Sequence, residues 1–341
     1  MYVLLIDSGT TNSRIRLVQN DHTEQVVDVL KMKVGVRNTA IDGHNERLKS
    51  EIQRGIAKVI ERNHLSADQV SSIVASGMIT SNLGLYEVPH VTAPADLEDF
   101  VKHAKMVDSG EFFNIPCLFI PGMKNDSGEL LAQSPQLVNE MDIMRGEEVE
   151  AFGLLKQLAP VGRGIMVLPG SHTKYVVIDQ DQTLCFSLST LGGEVLQAIC
   201  SNTILSSSLN EKLVETIDTP HLLAGFHAAK REGLTRSFFH IRLLQLYSEL
   251  DDNARANYFV GAVLQSDLQA LDSYLEHAGK FEWMIVGGSN PLRSAFVHLL
   301  SDQYENVNIM EANDEQVEHA LVSGAIEVGS QFFDNEGGIA T

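Results

Sequence analysis

Val3-Leu4-Leu5-Ile6-Asp7-Ser8-Gly9-Thr10-Thr11-Asn12-Ser13-Arg14-Ile15-Arg16-Leu17 constrains the fold more than any other stretch of the chain. An apolar run ends in an acid, a tight turn follows, and then an alternating run. That pattern predicts a buried strand, a hairpin turn and a second strand. Gly9, Thr10, Thr11 and Asn12 are small or polar, which leaves backbone N–H groups free to surround a phosphate. Glycine lets that backbone come close. Asp7, at the end of the first strand, can hold a Mg2+ ion through water. An ordinary N-terminal hairpin would look the same over these residues, so the rest of the chain must separate the two readings.

Length and composition narrow the choice. The 341 residues suggest two domains, at roughly 100–200 residues each. Hydrophobic residues make up 44% and charged residues 21%, which suits a globular core. The net charge of -20 argues against nonspecific nucleic-acid binding, which needs clustered Lys and Arg. It leaves room for a locally positive pocket that takes a small anion. Cys117, Cys185 and Cys200 are widely spaced and form no CxxC pair, so neither a zinc site nor a disulfide framework is expected. The first apolar run lacks a preceding basic region and breaks at Asp7, unlike a signal peptide. No uninterrupted apolar stretch approaches the ~18 residues of a membrane span. A cytoplasmic protein with no membrane partner is the expectation.

Along the chain, strand–turn–strand–strand occurs twice, near residues 3–33 and 165–188, each time with a Gly/Ser/Thr-rich first turn and helices after it. Residues 46–63 have helical spacing, 72–76 and 115–120 read as strands, and 96–106 reads as a helix. From 194 to 275 the chain is mostly helical. Strands are expected at 281–286 and 307–310, and a helix at about 315–328. The predicted division is a first α/β domain over 1–140, a second over 141–333 and a flexible tail over 334–341. Two such halves imply a cleft between them. Ligands of α/β sheets bind beyond the carboxyl ends of strands, and Asp7, Gly170 and Gly287 all lie at such ends.

Three Gly-rich turns at strand ends suit a nucleoside triphosphate. Residues 9–12 and then Gly170, Ser171, His172 and Lys174 would face its phosphates, and Gly287, Gly288, Ser289 and Asn290 its adenosine. No GxxxxGK[ST] or GxGxxG exists in these places, so neither a P-loop nor a dinucleotide fingerprint is present. The Lys174 ammonium can meet phosphate charge, or be a solvated strand lysine. His172 is either a donor to phosphate or a satisfied loop histidine. Glu147 and Glu148 open a helix, where acids ordinarily complement the helix dipole. Placed at the domain junction, one of them can instead accept a hydroxyl proton during phosphoryl transfer. Arg145 can fork onto a substrate carboxylate.

These motifs together resemble the actin/hexokinase/Hsp70 ATPase superfamily, and within it the 2-dehydro-3-deoxygalactonokinase (2-keto-3-deoxygalactonate kinase) family. The resemblance rests on residues 7–14, on Gly77-Met78-Ile79-Thr80-Ser81-Asn82-Leu83-Gly84, on Met144-Arg145-Gly146-Glu147-Glu148, on Leu168-Pro169-Gly170-Ser171-His172-Thr173-Lys174, on Leu191-Gly192-Gly193-Glu194 and on residues 286–292. It spans about residues 3–330, and the pair formed by residues 144–148 and 168–174 is the most specific. The chain departs from the family pattern at Ser8, where an aromatic is usual, at Thr80, where a Gly is usual, and at Gly192. Its second phosphate turn also lacks the acid that many superfamily members carry.

The resemblance implies two ribonuclease-H-like, actin-type domains with a nucleotide cleft between them. It implies a cytoplasmic kinase that uses ATP and Mg2+ to phosphorylate the terminal hydroxyl of 2-dehydro-3-deoxy-D-galactonate in a galactonate-degrading route. By analogy with the superfamily's polyphosphate and guanosine-pentaphosphate phosphatases, Glu148 is the first choice for the base and Glu147 the second. Arg145, and less strongly Asn82, would hold the sugar acid. A homodimer is compatible with this reading. The rival readings are a phosphatase of the same superfamily and a non-enzymatic actin-like ATPase.

Overall fold

The computed structural model describes residues 1–21, 23–107, 110–125, 135–209 and 213–335. Its elements follow the predicted double pattern. Strands β1 (Tyr2–Ser8), β2 (Ser13–Gln19) and β3 (Val26–Met32) form an antiparallel meander. Helices α1 (Val36–Asp42) and α2 (Glu46–Arg62) lead into β4 (Val70–Gly77), which runs parallel to β1. Then come β5 (Val91–Thr92), α3 (Leu97–His103), β6 (Lys105–Val107), β7 (Cys117–Phe119), β8 (Met123–Lys124), β9 (Ile143–Met144) and α4 (Glu147–Leu158). The order of the main sheet is β3-β2-β1-β4-β7-β6, and β5, β8 and β9 form a small second sheet.

The meander then recurs as β10 (Gly164–Leu168), β11 (Thr173–Ile178) and β12 (Leu184–Thr190). Helices α5 (Gly192–Asn202), α6 (Thr219–Glu232), α7 (Leu234–Tyr247) and α8 (Asp252–Ala278) precede β13 (Trp283–Val286), which pairs parallel with β10. Helix α9 (Leu292–Gln303), β14 (Asn308–Glu311) and α10 (Asp314–Asn335) complete the described chain. This sheet has the order β12-β11-β10-β13-β14. In both sheets the first strand of the meander is central and its next neighbour is parallel, which is the duplicated ribonuclease-H-like arrangement expected.

By contacts the chain forms two compact units. The first holds Met1–Ala159, Gln182–Phe186 and α10 from Glu315 on; the second holds Pro160–Asp181 and Ser187–Asp314. This contact-based division runs differently from the sequential one at 140/141: α4, although it follows that point, is grouped with the first unit.

Strands β1 and β2 are buried on both faces along most of their length. Leu4, Ile6, Ile15 and Leu17 point to one face and meet Leu48, Ile52, Ile56 and Val59, which the 3.6-residue period of α2 places on one stripe. Full burial of each such side chain is worth roughly 1.5–3 kcal/mol. The alternate residues, including Asp7, Arg14 and Arg16, fall on the other face. Cys117 is buried and Cys185 and Cys200 are half-buried; none of the three is in a disulfide. Among the described residues, no helix is long and apolar enough to cross a membrane.

Three local expectations change. The helix expected over 96–106 ends at His103, because residues 105–107 pair antiparallel with β7. The last helix runs beyond 328 to Asn335. Of the expected tail, Asp334 and Asn335 therefore belong to α10, and 336–341 lie outside the described residues.

Candidate active site

In the first unit the predicted hairpin turn sits at the carboxyl end of β1. Gly9 N–H donates to Asn12 O at 2.8 Å and closes it, and the buried Ser8 and Ser13 hydroxyls meet at 2.8 Å beneath it. Thr10, Thr11 and Asn12 are exposed. Gly35, at the start of α1, lies against the turn: a Cβ there would stand 2.5 Å from Gly9 O and 2.6 Å from Thr10 O. The turn is thus clamped from below while its top faces outward.

Asp7 is half-buried beside it. Burial raises its pKa, the Arg16 and Arg14 charges oppose that rise, and the Glu147 carboxylate adds to it. Arg14 Nη1 stands 3.7 Å from Asp7 Oδ2. Arg16 is buried, and its own pKa is lowered by burial.

Helix α4 brings the two glutamates to this strand end through a pair of glycines. Gly77 (φ +80°) and Gly146 (φ +113°) both adopt backbone that favours glycine. A Cβ on Gly146 would stand 3.1 Å from Gly77 Cα, and one on Gly77 would stand 2.6 Å from Ser8 O and 3.4 Å from Asp7 Oδ1. The two carboxylates then diverge. Glu147 is half-buried, and its Oε2 accepts the Arg145 amide at 2.9 Å. Glu148 is fully buried; its Oε1 accepts the Gly146 amide at 2.7 Å, and its Oε2 has no partner among the described residues. Burial first, and then the Glu147 charge, push the Glu148 pKa up to about 8.

The Arg145 guanidinium turns toward the Gly77–Thr80 segment. Nη1 donates to Thr80 O at 2.8 Å and to Thr80 Oγ1 at 2.6 Å, and Nη2 donates to Val88 O at 3.0 Å and faces the His90 ring at 3.1 Å. Burial and the Arg145 charge lower the His90 pKa to about 4, so this imidazole is neutral at pH 7. Thr80, fully buried, donates its hydroxyl to Gly77 O at 3.1 Å. Asn82 is exposed on the neighbouring turn.

In the second unit, Gly170, Ser171 and His172 are exposed at the β10–β11 turn. His172 Nε2 stands 3.2 Å from Glu194 Oε1. Lys174 is buried, and its Nζ donates to Ser189 Oγ at 2.6 Å. The turn after β13 touches the turn after β10: a Cβ on Gly288 (φ +70°) would stand 2.4 Å from Pro169 O. Arg293 braces this third turn, donating to Gly288 O at 3.1 Å and to Glu311 Oε1 at 3.2 Å. Beside it opens a cavity of about 690 Å³ whose lining includes Gly193, Leu196, Gln197, Cys200 and Leu292. That volume is within the usual range for a small-molecule pocket, roughly 300–1,000 Å³.

A family model described as 2-keto-3-deoxy-galactonokinase matches residues 7–323. The chain belongs to this family. Family membership makes it a carbohydrate kinase. A Rhizobium meliloti protein named "Probable 2-dehydro-3-deoxygalactonokinase DgoK1" is 25% identical over 336 residues, covering 95% of this chain and 96% of its own length. The Escherichia coli 2-dehydro-3-deoxygalactonokinase is 22% identical over 279 residues, covering 80% and 82%. In three dimensions the chain resembles a Sinorhizobium meliloti protein assigned as a 2-dehydro-3-deoxygalactonokinase, with TM-score 0.72 at 18% identity over 97% of this chain and 96% of that one. An activator of 2-hydroxyisocaproyl-CoA dehydratase from Clostridium difficile has the same fold, with TM-score 0.51 at 12% identity over 100% and 99%.

In this galactonokinase-family chain the fold gathers Asp7, residues 9–12, Glu147 and Glu148 at one strand end. It gathers the turns at 170–174 and 287–290 at another. Gly35, Arg16 and Arg293 lie against these turns and strand ends and were not singled out in the sequence. An Arg alternating with apolar neighbours in a strand, as Arg16 does, is the one local signal that could have marked any of them.

Proposed function

We propose that the chain transfers the terminal phosphoryl group of ATP to the terminal hydroxyl of 2-dehydro-3-deoxy-D-galactonate, giving the 6-phosphate. The match of the family model to nearly the whole chain carries this reading of substrate and reaction. The amides of Thr10, Thr11 and Asn12, in the turn that the Gly9 amide closes on Asn12 O, and Gly170, Ser171, His172 and Lys174, bind phosphate oxygens. Gly287, Gly288, Ser289 and Asn290 border adenosine, whose base enters the cavity that Leu196 and Leu292 help to line.

Glu148 is the group proposed to take the hydroxyl proton. Its buried Oε2, which no described residue partners, leaves an acceptor open for that proton. A base with a pKa near the working pH is also efficient. The hydroxyl oxygen forms a bond to the γ-phosphorus as the bond to the ADP oxygen breaks, and the hydroxyl proton passes to Glu148. Glu147, nearer the Asp7 charge, is the alternative acceptor.

Asp7 fits a Mg2+ ion held through water: it is an oxygen donor at a strand end, and the nearby Glu147 charge is one that a cation would offset. When bound, Mg2+ supplies charge neutralisation on the phosphates. Arg145, with its guanidinium turned to Thr80, Val88 and His90, meets the sugar acid at the edge of that network, beside Asn82.

The test is a coupled assay of ADP release with a panel of 2-keto-3-deoxy sugar acids. ADP formed only in the presence of the galactonate-derived acid supports the reading. Phosphate release with no acceptor present would indicate a phosphatase instead.

A further inference from the structure

We propose that Asp267, in the middle of α8, is a positioning residue for nucleotide binding: its carboxylate fastens the second phosphate turn to the first turn of α5. This rests on the reading that residues 170–174 bind ATP phosphates. Both ends of that turn are held from behind. At its far end, Thr173 Oγ1 donates to Asp267 Oδ2 at 3.1 Å, and both residues are buried. At its near end, the Glu194 amide donates to Ser171 O at 2.9 Å. A Cβ on Gly193 would stand 2.0 Å from Gly170 O, so the start of α5 lies directly on the turn.

The same carboxylate also borders the start of α5. A Cβ on Gly192 would stand 2.2 Å from Asp267 Oδ2 and 2.7 Å from its Cγ. Only glycine lets the α5 backbone come this near, and the partial positive end of the helix then favours a negative charge there. No Lys or Arg pairs with Asp267 among the described residues, so this carboxylate is buried without a compensating cation. Burial raises its pKa to about 6, which leaves it ionised at neutral pH and makes the Thr173 bond charge-assisted. Thr190 lies near the same carboxylate, although its buried hydroxyl makes no hydrogen bond of normal geometry. An acid is missing from the second turn itself, and here one reaches that turn from a helix 94 positions further along the chain.

The experiment uses the full chain and compares Asp267→Asn, Thr173→Val and Lys174→Met by steady-state kinetics, with a melting curve for each. The expected result for Asp267→Asn and Thr173→Val is a KM for ATP raised about tenfold, with kcat and the KM for the sugar acid within about twofold. Lys174→Met tests the underlying reading separately: an unchanged KM for ATP there would remove residues 170–174 from the phosphate site. If Lys174→Met raises the KM for ATP while Asp267→Asn and Thr173→Val do not, the proposal fails. It also fails if those two variants lower kcat and weaken both substrates alike, as a merely structural carboxylate would. Should Asp267→Asn not fold, Thr173→Val, at the other end of the same hydrogen bond, decides the matter alone.

Discussion

Adjacent glutamates with different surroundings are the residue-scale feature with the widest consequences. Glu148 has one oxygen on the Gly146 amide and one with no partner, whereas Glu147 is half-open and lies near Asp7. Glu148→Gln is expected to lower kcat by about 10²–10⁴ while leaving the KM for ATP within a few-fold. Rate constants for Glu147→Gln that fall as far, with Glu148→Gln near wild type, would reverse the assignment. The pH dependence has a definite sign. A base with a pKa near 8 works only when deprotonated, so kcat/KM should rise with pH up to about 8 and then level, and Glu148→Gln should flatten that rise.

The stability linkage of the same carboxyl runs the other way. Its folded pKa is raised above its ordinary value, so the stability it contributes is complete below about pH 4.5 and is lost as pH rises through about 8. Melting temperatures should therefore show the wild type losing ground to Glu148→Gln between pH 5 and pH 8. A difference that stays constant over that window would mean Glu148 is not buried in solution.

At the scale of elements, the N-terminus of α4 is set by Gly146 and its contact with Gly77. A side chain at residue 146 is strained twice, by the φ of +113° and by the approach to Gly77. Gly146→Ala is expected to destabilise the chain by about 1–3 kcal/mol. It should lower kcat more than it raises the KM for ATP, because it shifts the helix end that carries both glutamates and touches no phosphate turn. Denaturant unfolding and steady-state kinetics measure the two effects, and a wild-type kcat would show that the α4 terminus does not position the reacting groups. The Arg145 network belongs to this scale too. It joins the Thr80 turn, Val88 and His90 to the chain just before α4, so Arg145→Ala leaves the carbonyls of Thr80 and Val88 without these bonds. The expected outcome is a raised KM for the sugar acid, with the KM for ATP changed much less.

At the scale of the whole molecule, the strand order β3-β2-β1-β4 of one sheet recurs as β12-β11-β10-β13 in the other. A ligand that binds the folded chain alone stabilises it by mass action, by about 2.7 kcal/mol at a hundred times its Kd. MgATP at that excess should raise the melting temperature, and Lys174→Met should lose most of the rise at the same concentration. A rise that survives Lys174→Met unchanged would place the triphosphate elsewhere. The net charge of -20 adds a salt dependence: self-repulsion should make the folded chain less stable at low ionic strength than at about 0.15 M.

Much of this was legible without coordinates, for a local reason. The apolar run 3–6, the turn after it and the alternation over 13–17 identify a buried strand and its hairpin partner, the 3.6 period of residues 48, 52, 56 and 59 identifies a helix face, and Gly/Ser/Thr turns at strand ends mark places where backbone can meet an anion. Each signal lies within one or two elements, where chain connectivity already determines which residues are neighbours. The order in which these signals recur, together with residues 144–148 and 168–174, was enough to suggest the fold and the family. Partnerships between distant elements carry no such local period. Thr173 finds Asp267 only once α8 has packed behind the β10–β11 turn, and Gly35 closes under Gly9 only once α1 has folded back. The different surroundings of Glu147 and Glu148 were likewise out of reach of the sequence: identical side chains one position apart are told apart only by the packing around the start of α4, which buries one and leaves the other half-open.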